Sequence, residues 1–160
     1  MSKYYIAYGS NLNIRQMKFR CPGAFVVGTC FIKDYELLFK GSKTGSYLTI
    51  EEKKGSSVPV AIWKVDENHE QVLDRYEGHP TFYYKKEIEV DFVSLKRKIR
   101  HHAKAFVYIM HEDRLRGIPS KEYIRVCLEG YKTFGFSPTY LEDALKRSLE
   151  VRNGNFSKRI

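Results

Sequence analysis

An α+β domain whose strands curl into a small mixed β-barrel, about six or seven strands flanked by a few helices, is the fold class this sequence predicts. Three observations lead there. Strand-like runs follow one another along most of the chain, and helical periodicity is confined to three or four short stretches. The two do not alternate in the strand–helix order of a doubly wound sheet. At 160 residues one domain suffices. It is expected over residues 1–151, with 152–160 as a loose tail because no apolar pattern runs through it.

Tyr4 to Tyr8 is the first strand, stopped by Gly9-Ser10-Asn11. Asn13, with Gln16 three residues on, reads as the cap of a short helix through Met17 and Phe19, which Arg20-Cys21-Pro22-Gly23 ends. Ala24–Ile32 and Tyr35–Phe39 are rich in branched and aromatic residues, with a bend at Lys33-Asp34. Gly41, Gly45 and Ser46 mark a turn before Tyr47–Ile50. After Lys53-Lys54-Gly55-Ser56-Ser57, residues Val58–Val65 form a further strand, where Pro59 suggests an edge or a strand start.

Asp66 caps the next helix, Glu67 to about Tyr76, which places Val72, Leu73 and Tyr76 on one face and finishes at Glu77-Gly78. Phe82–Phe92 and Ala103–Met110 form a strand pair around a basic loop. Ser120–Phe134 and Thr139–Val151 are helices, with Tyr123, Val126, Cys127 and Tyr131, then Leu141, Ala144 and Leu145, at helical spacing.

The composition narrows the function classes. With 42% hydrophobic and 29% charged residues the chain is globular rather than disordered. No apolar run approaches the roughly 18 residues of a membrane span, so no membrane association is expected. Cys21, Cys30 and Cys127 are odd in number and lack CxxC pairing, as for reduced, buried thiols of a cytoplasmic protein without a structural zinc site. The net charge of +9 raises nucleic acid as a partner. Its densest cluster, Lys96-Arg97-Lys98 with Arg100-His101-His102, nevertheless has no interleaved aromatic residue to stack on bases and reads as a solvated hairpin. His111-Glu112-Asp113 lacks metal-ligand spacing, and no metal or other cofactor is expected.

Two stretches bear on chemistry. Where the first strand gives way to Gly9-Ser10-Asn11-Leu12 and a helix start, several backbone N–H groups collect and glycine allows close approach, which suits a carboxylate or phosphate. The same pattern also fits a tight turn whose Ser and Asn cap the helix. In Leu73-Asp74-Arg75-Tyr76-Glu77-Gly78, Glu77 falls at the carbonyl end of a helix among aromatic residues. Both the dipole and partial burial there raise a carboxyl pKa toward the range of a general acid/base. A plain helix end accounts for the pattern equally. His79 follows as a loop histidine, and no histidine is placed by motif to activate Cys21 or Cys127 as a nucleophile.

Taken together, Tyr8-Gly9-Ser10-Asn11-Leu12, the strand Val60-Ala61-Ile62-Trp63-Lys64-Val65, and Leu73-Asp74 with Glu77-Gly78 resemble the γ-glutamyl cyclotransferase family in its AIG2-like branch. They match its YGSNL signature, its central strand and its LDxxEG segment. Pro119 and Tyr123 follow in the family's order, so the resemblance covers about residues 3 to 145. Asn11 sets the loop apart from the glutathione-degrading ChaC-type branch.

The resemblance implies a cofactor-free enzyme that releases 5-oxoproline and a free amine from a small-molecule γ-glutamyl compound. It makes Glu77 the catalytic general acid/base. Tyr8, Gly9, Ser10, Asn11, Leu12, Tyr84 and Tyr123 become substrate-binding residues, with Tyr83 the alternative to Tyr84. A monomer or homodimer with neither nucleic acid nor membrane as partner is expected. A non-catalytic small-molecule binding module on the same fold is the alternative.

Overall fold

The computed structural model describes residues 2–42 and 44–157. Its strands are β1 (Lys3–Ala7), β2 (Phe25–Ser42), β3 (Gly45–Val65), β4 (Tyr83–Ser94), β5 (Arg100–Met110) and the short β6 (Leu115–Arg116). Four helices, α1 (Ile14–Arg20), α2 (Glu67–Tyr76), α3 (Lys121–Phe134) and α4 (Thr139–Ser157), and a 3₁₀ turn at Ser10–Leu12 complete the described chain.

The sheet runs β3-β1-β5-β4-β2-β6, and β2 pairs again with β3. Five strands thus close into a barrel, and β6 is appended to β2. β1 lies antiparallel to β3, with Tyr5 opposite Trp63, and parallel to β5, with Tyr5 opposite Phe106. That single parallel seam makes the barrel mixed. Its core includes Ile6, Leu37, Ile50, Val60, Ile62 and Val107, all 2% exposed or less, and Val90 and Phe92 of β4 at 5% and 3%.

The expected count of six or seven strands is met by six. Two pairs of predicted strands prove continuous. Residues 24–32 and 35–39 join as β2, and 47–50 joins 58–65 as β3. The break at Asp34 is a bulge: Asp34 takes a positive φ of 64°, and pairing skips from Lys33–Ser57 to Tyr35–Glu52. The Asp34 carboxylate caps the excursion by accepting from the Gly55 N–H at 3.0 Å. A bulge diverts pairing without ending it.

Asn13 and Asp66 cap as anticipated, accepting from the Gln16 and His69 N–H groups. Ser120, expected as the first residue of its helix, is the cap of α3 and accepts from the Tyr123 N–H. α4 runs on to Ser157 instead of ending at Val151, since no proline or cap interrupts its hydrogen-bond ladder; residues 158–160 of the expected tail lie outside the described residues. α3 packs on the 3₁₀ turn, and buried Gly130 is what allows it. A Cβ there would lie 2.6 Å from the Leu12 carbonyl carbon and 2.8 Å from its oxygen.

Candidate active site

Glu77 is placed by the end of α2. Its own N–H donates to the Leu73 carbonyl at 2.8 Å, the Gly78 N–H to Arg75 at 3.2 Å and the His79 N–H to Asp74 at 2.9 Å. Gly78 takes φ +62°, the left-handed conformation that closes a helix end this way at little cost for glycine. The chain therefore turns immediately after Glu77 and leaves its carboxyl on the wall of a cavity.

That cavity holds about 460 Å³, within the rough 300–1,000 Å³ range of small-molecule sites. Tyr8, Gly9, Ser10, Asn11, Glu77 and Tyr123 all line it. The two stretches singled out in the sequence, far apart along the chain, thus share one space. In the 3₁₀ turn the Leu12 N–H donates to the Gly9 carbonyl and the Asn13 N–H to Ser10, each at 3.0 Å. The turn's own bonding does not engage the Ser10 and Asn11 amides, which come before its first bond.

Two expected site residues lie elsewhere. Leu12 is fully buried in the core, and its amide is spent on the turn. Tyr84 is absent from the cavity wall and donates its hydroxyl to the Glu112 carboxylate. Successive residues of a strand face opposite ways, so Tyr83 points inward in its place. The Tyr83 hydroxyl donates to the Leu48 carbonyl at 2.8 Å, while the Leu48 N–H donates to the Tyr123 hydroxyl oxygen at 3.0 Å. One peptide-bonding residue of β3 thereby fixes two phenols of the site.

Tyr5 and Tyr108 line the cavity without having been foreseen, and Arg20 and Asp74 bond to its wall from behind. Tyr5 accepts at its hydroxyl from Asn11 Nδ2 at 2.9 Å, and Asn11 Oδ1 accepts from Arg20. The Arg20 guanidinium lies over the Tyr76 ring, 3.2 Å from its centre. Tyr8 donates to the Tyr108 carbonyl at 2.7 Å, and the Tyr108 hydroxyl donates to Asp74 at 2.6 Å. His79 contacts the edge of Tyr108 but does not line the cavity.

Removal from water lifts the Glu77 carboxyl to about 7, with Arg20 pulling in the opposite direction. Burial likewise pushes the phenols of Tyr5, Tyr8, Tyr83 and Tyr123 well upward, with Glu77 adding to the rise. These hydroxyls stay protonated as hydrogen-bonding groups, whereas Glu77 can exchange a proton near neutrality. The thiols move away from reactivity: burial raises Cys21 and Cys30 to about 11 and Cys127 to about 12.

Residues 5–125 match the family described as "Gamma-glutamyl cyclotransferase, AIG2-like". The chain belongs to this family. A Bos taurus "Gamma-glutamylcyclotransferase" is 35% identical over 81 residues, 46% of this chain and 43% of that protein, so the aligned part spans less than half of the bovine relative. A Homo sapiens protein of the same name is 28% identical over 145 residues, 86% of this chain and 74% of the relative. Among solved structures, a "Gamma-glutamyl cyclotransferase" superposes with a TM-score of 0.74 at 26% identity, covering 90% of this chain and 86% of that one. The resemblance drawn from YGSNL and LDxxEG thus extends to the whole barrel.

Proposed function

We propose that this γ-glutamyl cyclotransferase-like chain releases 5-oxoproline and a free amine from a γ-glutamyl compound, with Glu77 as general acid/base. One observation carries the reading: Glu77 and the Gly9–Asn11 turn line the same cavity.

The ionised Glu77 carboxylate takes a proton from the substrate's α-ammonium group. The freed amine attacks the γ-carbonyl carbon, forming the five-membered ring and an oxyanion. The amides of Ser10 and Asn11, with the Tyr5 hydroxyl, whose oxygen accepts from Asn11, hold the negatively charged groups, the α-carboxylate or the oxyanion. Protonated Glu77 then delivers its proton to the departing nitrogen as the original amide bond breaks, which restores the carboxylate, and the second proton of the ring nitrogen passes to the freed amine, which leaves as an ammonium ion. Water is neither consumed nor produced. Orientation alone can supply roughly 7–11 kcal/mol of an intramolecular attack, and proton transfer adds on the order of a hundredfold to ten-thousandfold.

The test is incubation of the protein with a panel of γ-glutamyl amino acids and γ-glutamyl amines, with 5-oxoproline followed by mass spectrometry. At least one compound is expected to yield 5-oxoproline and its amine in equal amounts. Silence across the panel would favour a binding module. A Cβ at Gly9 would come within 3.3 Å of the Tyr123 hydroxyl, so Gly9→Ala is expected to raise KM severalfold while the urea midpoint stays put. Unchanged kinetics would remove the turn from the site.

A further inference from the structure

The cavity has two chemically different ends. Its floor is formed by buried residues such as Tyr5, Tyr8 and Tyr108. Its outer rim carries Arg75, half-exposed Tyr76, and Tyr47 at 38% exposure. The γ-glutamyl part of a substrate belongs near the Gly9–Asn11 turn and Glu77. The departing amine, which varies between substrates, must then extend along the rim.

Among the described residues that line the cavity, Arg75 is the sole cation and Glu77 the sole anion. Arg75 stands on the last turn of α2, two residues before Glu77, and its guanidinium makes no hydrogen bond or ion pair among the described residues. An exposed cation usually needs no partner, but this one lines the cavity that also holds Glu77. The same cavity lining includes the aromatic residues Tyr47 and Phe82. Tyr47 meets the edge of Phe82, with ring centres 6.3 Å apart, and the Arg114 guanidinium lies 4.9 Å from the centre of the Phe82 ring.

Resting on the cyclotransferase reading above, we infer that the rim selects the departing amine, with Arg75 binding a carboxylate on it and Tyr47 and Phe82 packing against an aromatic side chain. The preferred substrates are therefore γ-glutamyl derivatives of aromatic α-amino acids, and γ-glutamyl polyamines are disfavoured because they present a cation to Arg75. A guanidinium recognises a carboxylate through two parallel N–H donors, which a neutral amide cannot match. The aromatic rim removes apolar surface from water and favours edge or offset ring contacts.

Binding is separable from turnover by using ligands that cannot cyclise. N-glutaryl-phenylalanine is γ-glutamyl-phenylalanine without its α-amine and so lacks the attacking nucleophile. Calorimetry on the full chain would compare it with N-glutaryl-phenylalanine amide and N-glutaryl-alanine. The wild-type protein is expected to bind the phenylalanine acid about tenfold tighter than its amide, in line with a hydrogen bond to a charged group. It is expected to bind the acid about tenfold tighter than the alanine analogue. Arg75→Gln should bring the acid-to-amide ratio close to one and Arg75→Glu should bring it below one, while Tyr47→Ala lowers the phenylalanine-to-alanine ratio.

A wild-type acid-to-amide ratio near one, a ratio that Arg75→Glu leaves unaltered, or no binding at all would overturn the assignment. Turnover of γ-glutamyl-phenylalanine read alongside keeps the two ideas apart. Both ratios intact with no 5-oxoproline would discard the reaction and retain the rim. Turnover with flat ratios would do the reverse.

Discussion

Glu77→Gln protein is expected to lose a hundredfold to ten-thousandfold of its 5-oxoproline release, the usual worth of a positioned proton donor and acceptor. The substitution keeps the shape of the side chain and removes its ability to accept the ammonium proton. Because the carboxyl titrates at about 7, wild-type kcat/KM should climb as pH rises through neutrality, and this limb should vanish from the residual activity of the variant. Wild-type rates in Glu77→Gln would end the proposed mechanism.

The same residue carries a stability signature of known sign. The folded chain holds the Glu77 proton up to about 7, against an ordinary 4.5, so between those values the folded state binds more protons than the unfolded one. Wild-type stability from this group is therefore full below about pH 4.5 and is lost as pH rises to about 7. The full difference would be on the order of 3 kcal/mol, reduced by the water that an open cavity admits. Glu77→Gln should accordingly melt above wild type at pH 8, with the gap closing toward pH 4.5. A gap that widens on acidification would contradict the burial of the carboxyl.

Gly130→Ala tests whether α3 positions the site loop. Alanine is the better helix former by about 1 kcal/mol, so on propensity alone the variant would gain. The added methyl, however, falls on the carbonyl group of Leu12, which is main chain and cannot rotate aside. Overpacking of this kind costs roughly 1–3 kcal/mol, giving an expected net loss of about 1–2 kcal/mol by urea denaturation. Because Leu12 directly follows the Ser10–Asn11 amides, KM should rise as well. A stabilised variant with unchanged KM would show that the loop is held from elsewhere.

What could be read from the residues were the local devices. Asn13 and Asp66 declare helix starts through their own side chains, and Glu77-Gly78 declares a helix end. The loop at Gly9-Ser10-Asn11 is a turn whatever surrounds it. Strand parity was the first failure: nothing local to Tyr83-Tyr84 says which faces inward, since this depends on the register of β4 against β5, where Tyr83 pairs with Met110. The bulge at Asp34 was another, because continued pairing of β2 is visible only once β3 lies beside it.

The remaining cavity walls were hidden for a related reason. Tyr5 and Tyr108 lie in aromatic strand runs that read as core, and the parallel seam places them side by side, with ring centres 5.9 Å apart. Arg20 looked like part of a helix ending. Its role in the network emerges from Asn11 and Tyr76, which reach it from different elements.

That parallel seam sets an order of events for the nascent chain. β1 leaves the ribosome before the other described strands, yet one of its two neighbours, at residue 106, is made more than a hundred residues later. Until then Tyr5, Ile6 and Tyr8 have no complete surroundings, so translation must run well past Glu77 before the cavity can close. Long-range pairing of this kind slows folding, and a chain stopped short of β5 would leave its first strand as a hydrophobic target for chaperones and proteases.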